Sequence, residues 1–381
     1  MDSLYDTPMP MLPRYRVTTT VSIMAEKQDY NHRLMNIPAV WRNTRGGGVP
    51  VVVLDTGLPQ HVDLNPAGSK SFIPRYNADL NGHSTHVGGI LAATAGNDMG
   101  IAGIAPECEH HYGAVLGKDG NGTVQAIIQG IRWAVDEVGA KVINMSLGIP
   151  AGVRHLKALE DACNYAVDQG ATVIAAAGNE SGRVGQPAIF DSVLAVAAVD
   201  QSMEHAWFSN IGPEVDLAAG GVQVYSTWLK NGYSKLNGTS MAAPAIAGAA
   251  TLIIADRHQS SGDWLSPTEV ADKLKKIAFD VGPEGFDEQF GHGIPVFQHE
   301  DPEKRPDEDV EEPPEAPEQD DPCDCTLAGP LARRFLKAAS RAARNGSNGL
   351  DAMAVGFKAA GKLLDRAERA GEAKKVNPDL P

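Results

Sequence analysis

Three short strings carry side chains able to act on a substrate. Asp55-Thr56-Gly57 follows the apolar run Val51-Val52-Val53-Leu54, which sets a carboxylate at the end of a strand where glycine lets the chain turn away. Asn81-Gly82-His83-Ser84-Thr85-His86-Val87-Gly88-Gly89 opens a helix through small residues. Its two histidines, three apart, suit a metal, but no glutamate lies between them as in the zinc-protease pattern. A helix-start histidine facing a strand-end carboxylate makes instead a general base with a fixed tautomer. Leu236-Asn237-Gly238-Thr239-Ser240-Met241-Ala242-Ala243-Pro244 brings Ser240 into the start of a tightly packed helix, near unpaired N–H groups and the positive dipole end. Taken singly, each string has an ordinary reading: Asp55 as a turn residue, His83 as undecided between base and ligand, Ser240 as an N-cap.

Together, in the order Asp, His, Ser, the strings Asp55-Thr56-Gly57, His83-Ser84-Thr85-His86-Val87 and Gly238-Thr239-Ser240-Met241-Ala242-Ala243-Pro244 resemble the subtilisin-like serine proteases, over about residues 36–298. The resemblance implies Ser240 as nucleophile, His83 as the base that takes its proton, Asp55 as the holder of the imidazole, and His86 as structural. It implies that Asn179, in Ala175-Ala176-Ala177-Gly178-Asn179-Glu180, donates to the oxyanion alongside the Ser240 N–H. Ser146-Leu147-Gly148 and the segment with Ala176 and Gly178 match the walls of the primary pocket, whose small residues leave room for a large apolar side chain. Glu180 stands at its rim, where an exposed carboxylate contributes little. Gly120-Asn121-Gly122 matches the edge that pairs with substrate, and it lacks the lysine of a phosphate loop.

The same resemblance implies a calcium site at Asp63, Ala95, Asn97, Met99 and Ile101, completed by Gln28, because all-oxygen ligation suits that ion. Ser84, Ile149 and Ala245 depart from the family pattern; Ile149 is expected to narrow specificity. The layout is closest to the intracellular subtilisins, and Met11-Leu12-Pro13-Arg14-Tyr15 is similar to their hydrophobic-Pro-aromatic signature with an arginine interposed. Residues 1–25 or so are therefore expected to cover the cleft until cut away.

The elements that must position these groups follow from periodicity. Continuous apolar runs at 49–54, 141–145, 171–176 and 193–199 read as buried strands of a sheet covered on both faces, with helical spacing at 124–138 and 155–169. Ser266-Pro267-Thr268-Glu269 caps a helix expected to run to about 279. The fold class is α/β, a subtilisin-like three-layer sandwich with a mainly parallel sheet and a small C-terminal helical appendage.

The 381 residues carry a net charge of −15, which argues against nonspecific nucleic-acid binding, and 43% are hydrophobic, enough for a sizeable core. Residues 300–324 hold 13 acidic and 2 basic residues with six prolines, an extended linker by composition. The chain thus divides into an N-terminal extension, 1–28, a catalytic domain, 29–299, the linker, and a basic segment, 325–381. Two cationic helices, at 331–344 and 350–369, suit docking to a protein partner, with an anionic surface or the acidic linker as alternatives. Four cysteines make no disulfide scaffold, although Cys323-Asp324-Cys325 suits metal or oxidant. With no apolar leader and no membrane-length apolar run, the expected place is the cytoplasm, and the expected activity is endopeptidase cleavage of polypeptides. A non-catalytic peptide binder, or an esterase or ligase on the same site, is the alternative.

Overall fold

The computed structural model describes residues 9–12, 16–21, 26–74 and 77–297. These belong to the first of the two units into which the chain divides, Met1–Val310. The linker, the Cys323 and Cys325 pair and the two cationic helices lie outside the described residues.

Seven strands form the central sheet: β3 (Pro50–Asp55), β4 (Gly68–Ser71), β5 (Glu109–Ala114), β7 (Val142–Met145), β8 (Thr172–Ala176), β9 (Val193–Val199) and β10 (Val215–Gly220). Their order is β10-β9-β8-β7-β3-β5-β4, and every neighbouring pair is parallel. Every residue of β7, β8 and β9 is buried, as continuous Val, Ile and Ala runs require of strands covered on both faces. From β3 the chain builds first toward β5 and β4 and then returns to β7. The carboxyl ends of β3 and β7 therefore form the switch point at which such sheets bind ligands.

Five longer helices cover the sheet: α3 (His83–Ala92), α4 (Val124–Asp136), α5 (Lys157–Asp168), α6 (Thr239–Ser261) and α7 (Pro267–Lys276), after two short ones, α1 (Tyr30–Leu34) and α2 (Ile37–Val40). Helix α6 packs on β7 to β10 and on α3, while α4 and α5 pack on each other and over β3, β5 and β8. That is the three-layer α/β arrangement expected. The α7 capping box forms as the sequence predicts, with Ser266 and Glu269 exchanging bonds. The helix stops at Lys276 rather than near 279, because Ala278–Phe279 pairs as β13 with β14 (Ile294–Pro295). Helix α6 is long and apolar enough to cross a membrane, which the sequence reading did not anticipate. In the fold it is a core helix, with 89% of its most apolar window buried.

Smaller sheets sit at the carboxyl edge. Strands β11 (Val224–Trp228) and β12 (Gly232–Asn237) form an antiparallel hairpin, and β2 (Arg16–Val21) adds to the free side of β12. Further upstream, β1 (Met9–Pro10) pairs antiparallel with β6 (Asn121–Gly122).

Candidate active site

Asp55 ends β3 and His83 begins α3; both side chains are fully buried. His83 Nδ1 lies 2.8 Å and 2.9 Å from the two carboxylate oxygens. A proton held on Nδ1 by that carboxylate leaves Nε2 as the basic nitrogen, which is the tautomer a general base needs. The Thr56 N–H donates to the same carboxylate at 2.7 Å and fixes its rotation.

A second carboxylate, Asp79, builds the turn into α3. It accepts from the Asn81 and Gly82 N–H groups, each at 2.9 Å, from the Thr85 N–H at 2.8 Å and from the Thr85 hydroxyl at 2.6 Å. The Thr56 hydroxyl donates to it at 2.9 Å and accepts from the Ser84 N–H, while Ser84 Oγ donates to the Gly57 carbonyl. Asp79 thus joins the Asp55 strand end to the His83 helix start. The sequence reading missed it; the signal was an Asp just ahead of a helix-opening glycine, a capping pattern. Gly82 has φ +101°, and a side chain there would strike the Trp228 ring.

Ser240 lies in the first turn of α6, whose N-cap is Gly238, so the ordinary reading of Ser240 as a cap does not hold. Its hydroxyl donates to the Ser146 carbonyl at 3.1 Å, and the Ser146 hydroxyl donates back to the Ser240 carbonyl at 2.9 Å. Asn144 donates to Ser146 Oγ at 3.0 Å. The end of β7 is thereby locked to the start of α6.

Asn179 follows β8. Its side-chain Oδ1 accepts from the Thr239 N–H at 2.9 Å and hydroxyl at 2.8 Å, which fixes the amide plane. The other end, Nδ2, is buried and has no acceptor among the described residues. A buried donor left open is costly unless a ligand completes it. Gly178 has φ +111°, and a Cβ there would collide with the Asn210 amide.

Between the expected walls lies the chain's own N-terminal segment. The Met11 and Leu12 N–H groups reach the Gly120 carbonyl, each at 3.3 Å, and the Met11 carbonyl accepts from the Gly148 N–H at 2.8 Å. Met11 is completely buried, and a Cβ on Gly122 would approach its sulfur to 3.3 Å. Gly120, Gly122 and Gly148 are thus brought together by the one segment Met9–Leu12. Ser146, Leu147 and Ala176 are buried behind it. Ile149 is buried in the core and pairs with Gln186, so the expected narrowing of specificity has no support from its position. The Glu180 carboxylate is engaged by the Asn210 amide at 2.7 Å and the Asn179 N–H at 3.0 Å.

His86 is buried, and its Nε2 lies 3.2 Å and 3.1 Å from the Val224 and Ser234 carbonyls. Burial pushes its pKa down to about 3, so it stays neutral and ties α3 to the β11–β12 hairpin. Cys108 and Cys163 are buried free thiols with pKa values pushed up to about 12 by burial, and hence inert.

Of the expected metal ligands, Asp63 and the loop at 95–101 do meet. The fully buried Asp63 carboxylate accepts from Asn97 Nδ2 at 2.6 Å, the Ile101 N–H at 3.1 Å and the Tyr233 hydroxyl at 3.1 Å. Met99 N–H donates to Asn97 Oδ1 at 3.0 Å, and Thr94 N–H donates to the Asp63 carbonyl at 2.9 Å, so Ala95 follows a pinned residue. Gln28 makes no hydrogen bond to this loop among the described residues. It lines a separate cavity of about 510 Å³ with Asp29, Tyr30, Asp200 and Lys235. The carboxylate that reaches the loop is Glu26, accepting from the Gly96 N–H at 2.6 Å and the Asn97 N–H at 3.2 Å. Two carboxylates face this loop, each accepting from its N–H groups, so the residues present fit a hard cation only in supplying oxygen donors that would have to turn from these bonds to it. Among the described residues no group of three or more His, Cys, Asp or Glu gathers to hold a metal, so loop carbonyls and the Asn97 amide would have to supply the rest.

The sequence profile of the subtilase family matches residues 46–293. The chain is 42% identical over 258 residues to "Subtilisin DY" of Bacillus licheniformis, covering 66% of this chain and 89% of that one. It is 42% identical over 244 residues to "Subtilisin Savinase" of Lederbergia lenta, 63% of this chain and 87% of the other. To an "Alkaline protease" of Alkalihalobacillus alcalophilus it is 41% identical over 266 residues, 69% and 67% of the two chains.

Proposed function

This chain belongs to the subtilase family and is by class a serine endopeptidase, and we propose that it cleaves polypeptides through Ser240, His83 and Asp55. The Ser240 hydroxyl turns from the Ser146 carbonyl and attacks the scissile carbonyl as His83 Nε2 takes its proton. Asp55 stabilises the imidazolium, which returns the proton to the leaving amine; water then releases the acyl group by the same route. Asn179 Nδ2 and the Ser240 N–H hold the oxyanion. The observation that supports this most is the buried Nδ2 of Asn179, without an acceptor among the described residues and held in orientation by Thr239 beside the nucleophile. The test is intact-mass analysis of wild type and Ser240→Ala with unfolded casein. Cutting by the wild type alone, with fluorophosphonate labelling of Ser240, supports the assignment; casein left intact by the wild type even after removal of residues 1–25 refutes it.

The N-terminal extension is read as an internal inhibitor, since Met9–Leu12 fills the wall-to-wall space that a substrate strand needs. Calcium is read as a structural ion at Asp63, Asn97, the carbonyls of Ala95, Met99 and Ile101, and Glu26 in place of Gln28; when bound it cross-links the loop without entering the reaction. A cytoplasmic setting agrees with the two inert free thiols. A docking role for residues 325–381 rests on their charge and helical pattern, and truncation at 299 with unchanged casein cleavage but lost partner capture is its check.

A further inference from the structure

The turn that carries Asn179, residues 177–182, is gripped by one side chain from the segment between β9 and β10. Asn210 is 1% exposed and fills all four hydrogen-bonding positions of its amide on this turn. Its Oδ1 accepts from the Glu180 N–H at 2.9 Å and the Gly182 N–H at 3.0 Å, and its Nδ2 donates to the Ala177 carbonyl at 3.1 Å and the Glu180 carboxylate at 2.7 Å. The Asn210 backbone N–H donates to the Gly178 carbonyl at 3.0 Å. Glu180 closes the ring, because the same carboxylate oxygen accepts from the Asn179 N–H at 3.0 Å. The turn needs such a hold: Gly178 and Ser181 both have positive φ, +111° and +53°, and a residue with a Cβ adopts the second only at a cost.

We infer that Asn210 is a positioning residue for the oxyanion donor: it sets where the backbone of Asn179 lies, while Thr239 sets how the Asn179 amide is turned. The inference rests on the endopeptidase reading. Two separate elements converge on this one residue. From the start of α6, Thr239 takes the Asn179 side-chain oxygen, a contact that a shifting backbone could still follow by rotating its side chain. From the other side, Asn210 bonds Ala177, Gly178, Glu180 and Gly182, on both flanks of Asn179, and removes that freedom. A donor helps the transition state only where it meets the oxyanion at about 2.7–3.1 Å, and a misplacement of about 1 Å is enough to cost about 10²-fold. The residue type follows from the same bonds. The grip takes two acceptor and two donor sites on one short planar group; a serine is short of donors, and an aspartate has none and sets a second carboxylate against Glu180.

The test is a double-mutant cycle on the full-length chain, read as kcat and KM for one peptide substrate, with rates divided by the fraction of Ser240 that a fluorophosphonate labels. Asn210→Ala alone is expected to lower kcat at least about tenfold with KM little changed. In the Asn179→Ala background, where no donor is left to place, the same substitution is expected to change kcat by less than about twofold. Glu180→Ala removes one arm of the grip at an exposed residue and decides the matter where Asn210→Ala does not fold. Its expected effect is a fall of about threefold in kcat, recovered by Glu180→Gln and absent without Asn179. A fall of equal size in both backgrounds marks a general loosening of the fold and overturns the inference, as does an unchanged kcat in the single variants; the endopeptidase reading stands in either case. Wild type that neither labels nor cleaves, even with residues 1–25 removed, overturns that reading and the inference with it.

Discussion

Thr56 gives its hydroxyl proton to the Asp79 carboxylate at 2.9 Å, and through that bond the strand end carrying Asp55 is fastened to the turn that launches His83. Asp79 holds Thr56, Asn81, Gly82 and Thr85, so its effect on the reaction is one of position. Asp79→Ala leaves the Gly82 and Thr85 N–H groups without their acceptor, at a cost of about 1–3 kcal/mol of stability. The expected outcome is a lower Tm and a fall in kcat with KM little changed, measured on a peptide substrate. Asp79→Asn, which keeps one acceptor oxygen, recovers part of both.

Asn179→Ala removes the open donor and leaves Thr239 short of its acceptor. A loss of about 10²–10³ in kcat is expected, the magnitude established for the same donor in a subtilisin. Fluorophosphonate labelling of Ser240 should persist, since the nucleophile and its base are intact. A variant with unchanged kcat would remove Asn179 from the oxyanion site.

Met11 anchors the extension by burying its whole side chain. Burial of a methionine contributes about 1.5–3 kcal/mol, and Met11→Asp adds the cost of a buried charge, so the extension unseats. The full-length variant is expected to hydrolyse a short peptide at least about tenfold faster than wild type at early times. Equal initial rates would count against an inhibitory extension.

Calcium bound at 100 times its Kd contributes about 2.7 kcal/mol to stability. Added calcium should raise the Tm of wild type, and chelation should lower it. Asp63→Asn and Glu26→Ala are expected to shrink that shift, and Gln28→Ala to leave it. The measurement is Tm with and without chelator, together with calorimetric titration of the Ser240→Ala protein.

Acid should unfold this protein from the histidine side. His32 and His86 are held neutral by burial, with pKa values down to about 4 and about 3 from an ordinary 6.5. Below pH 6.5 the unfolded chain takes up protons that the fold refuses. Stability is therefore full above about pH 6.5 and is lost on descent toward 4 and 3, by about 3 and about 5 kcal/mol respectively. Asp29 works the other way: burial raises its pKa from 3.8 to about 6, so in the fold it binds a proton earlier and adds stability as the pH falls from 6 to 4. Asp29→Asn should steepen the acid loss over that interval, as read by urea unfolding at pH 7, 5.5 and 4.5.

The positions of Asp55, His83 and Ser240 were legible because each stands beside a structural signal, a strand end for Asp55 and a helix start for His83 and Ser240; their proposed roles came only from the three strings together, since each alone has an ordinary reading. The inner strands were legible because burial on both faces leaves unbroken apolar runs. Asp79 was not, since its worth depends on five donors that only the fold gathers. Nor was Glu26 over Gln28, a matter of which side chain the backbone bridge at Lys27 and Ile101 turns toward the loop. Arg16–Val21 is rich in β-branched residues, yet strand propensity does not name a partner, and β12 lies more than 200 residues downstream.

Met11 leaves the ribosome long before Gly120, Gly148 and Ser240, the residues that give its pocket walls and a blade. The cleft consequently assembles around a guest that is already tethered, at an effective concentration no free polypeptide matches. If the extension inhibits as proposed, nascent neighbours and the growing chain itself are shielded during synthesis, and the first bond at risk is one whose loss cannot be undone. Such an arrangement works as a fuse, spent once per molecule, rather than as a valve.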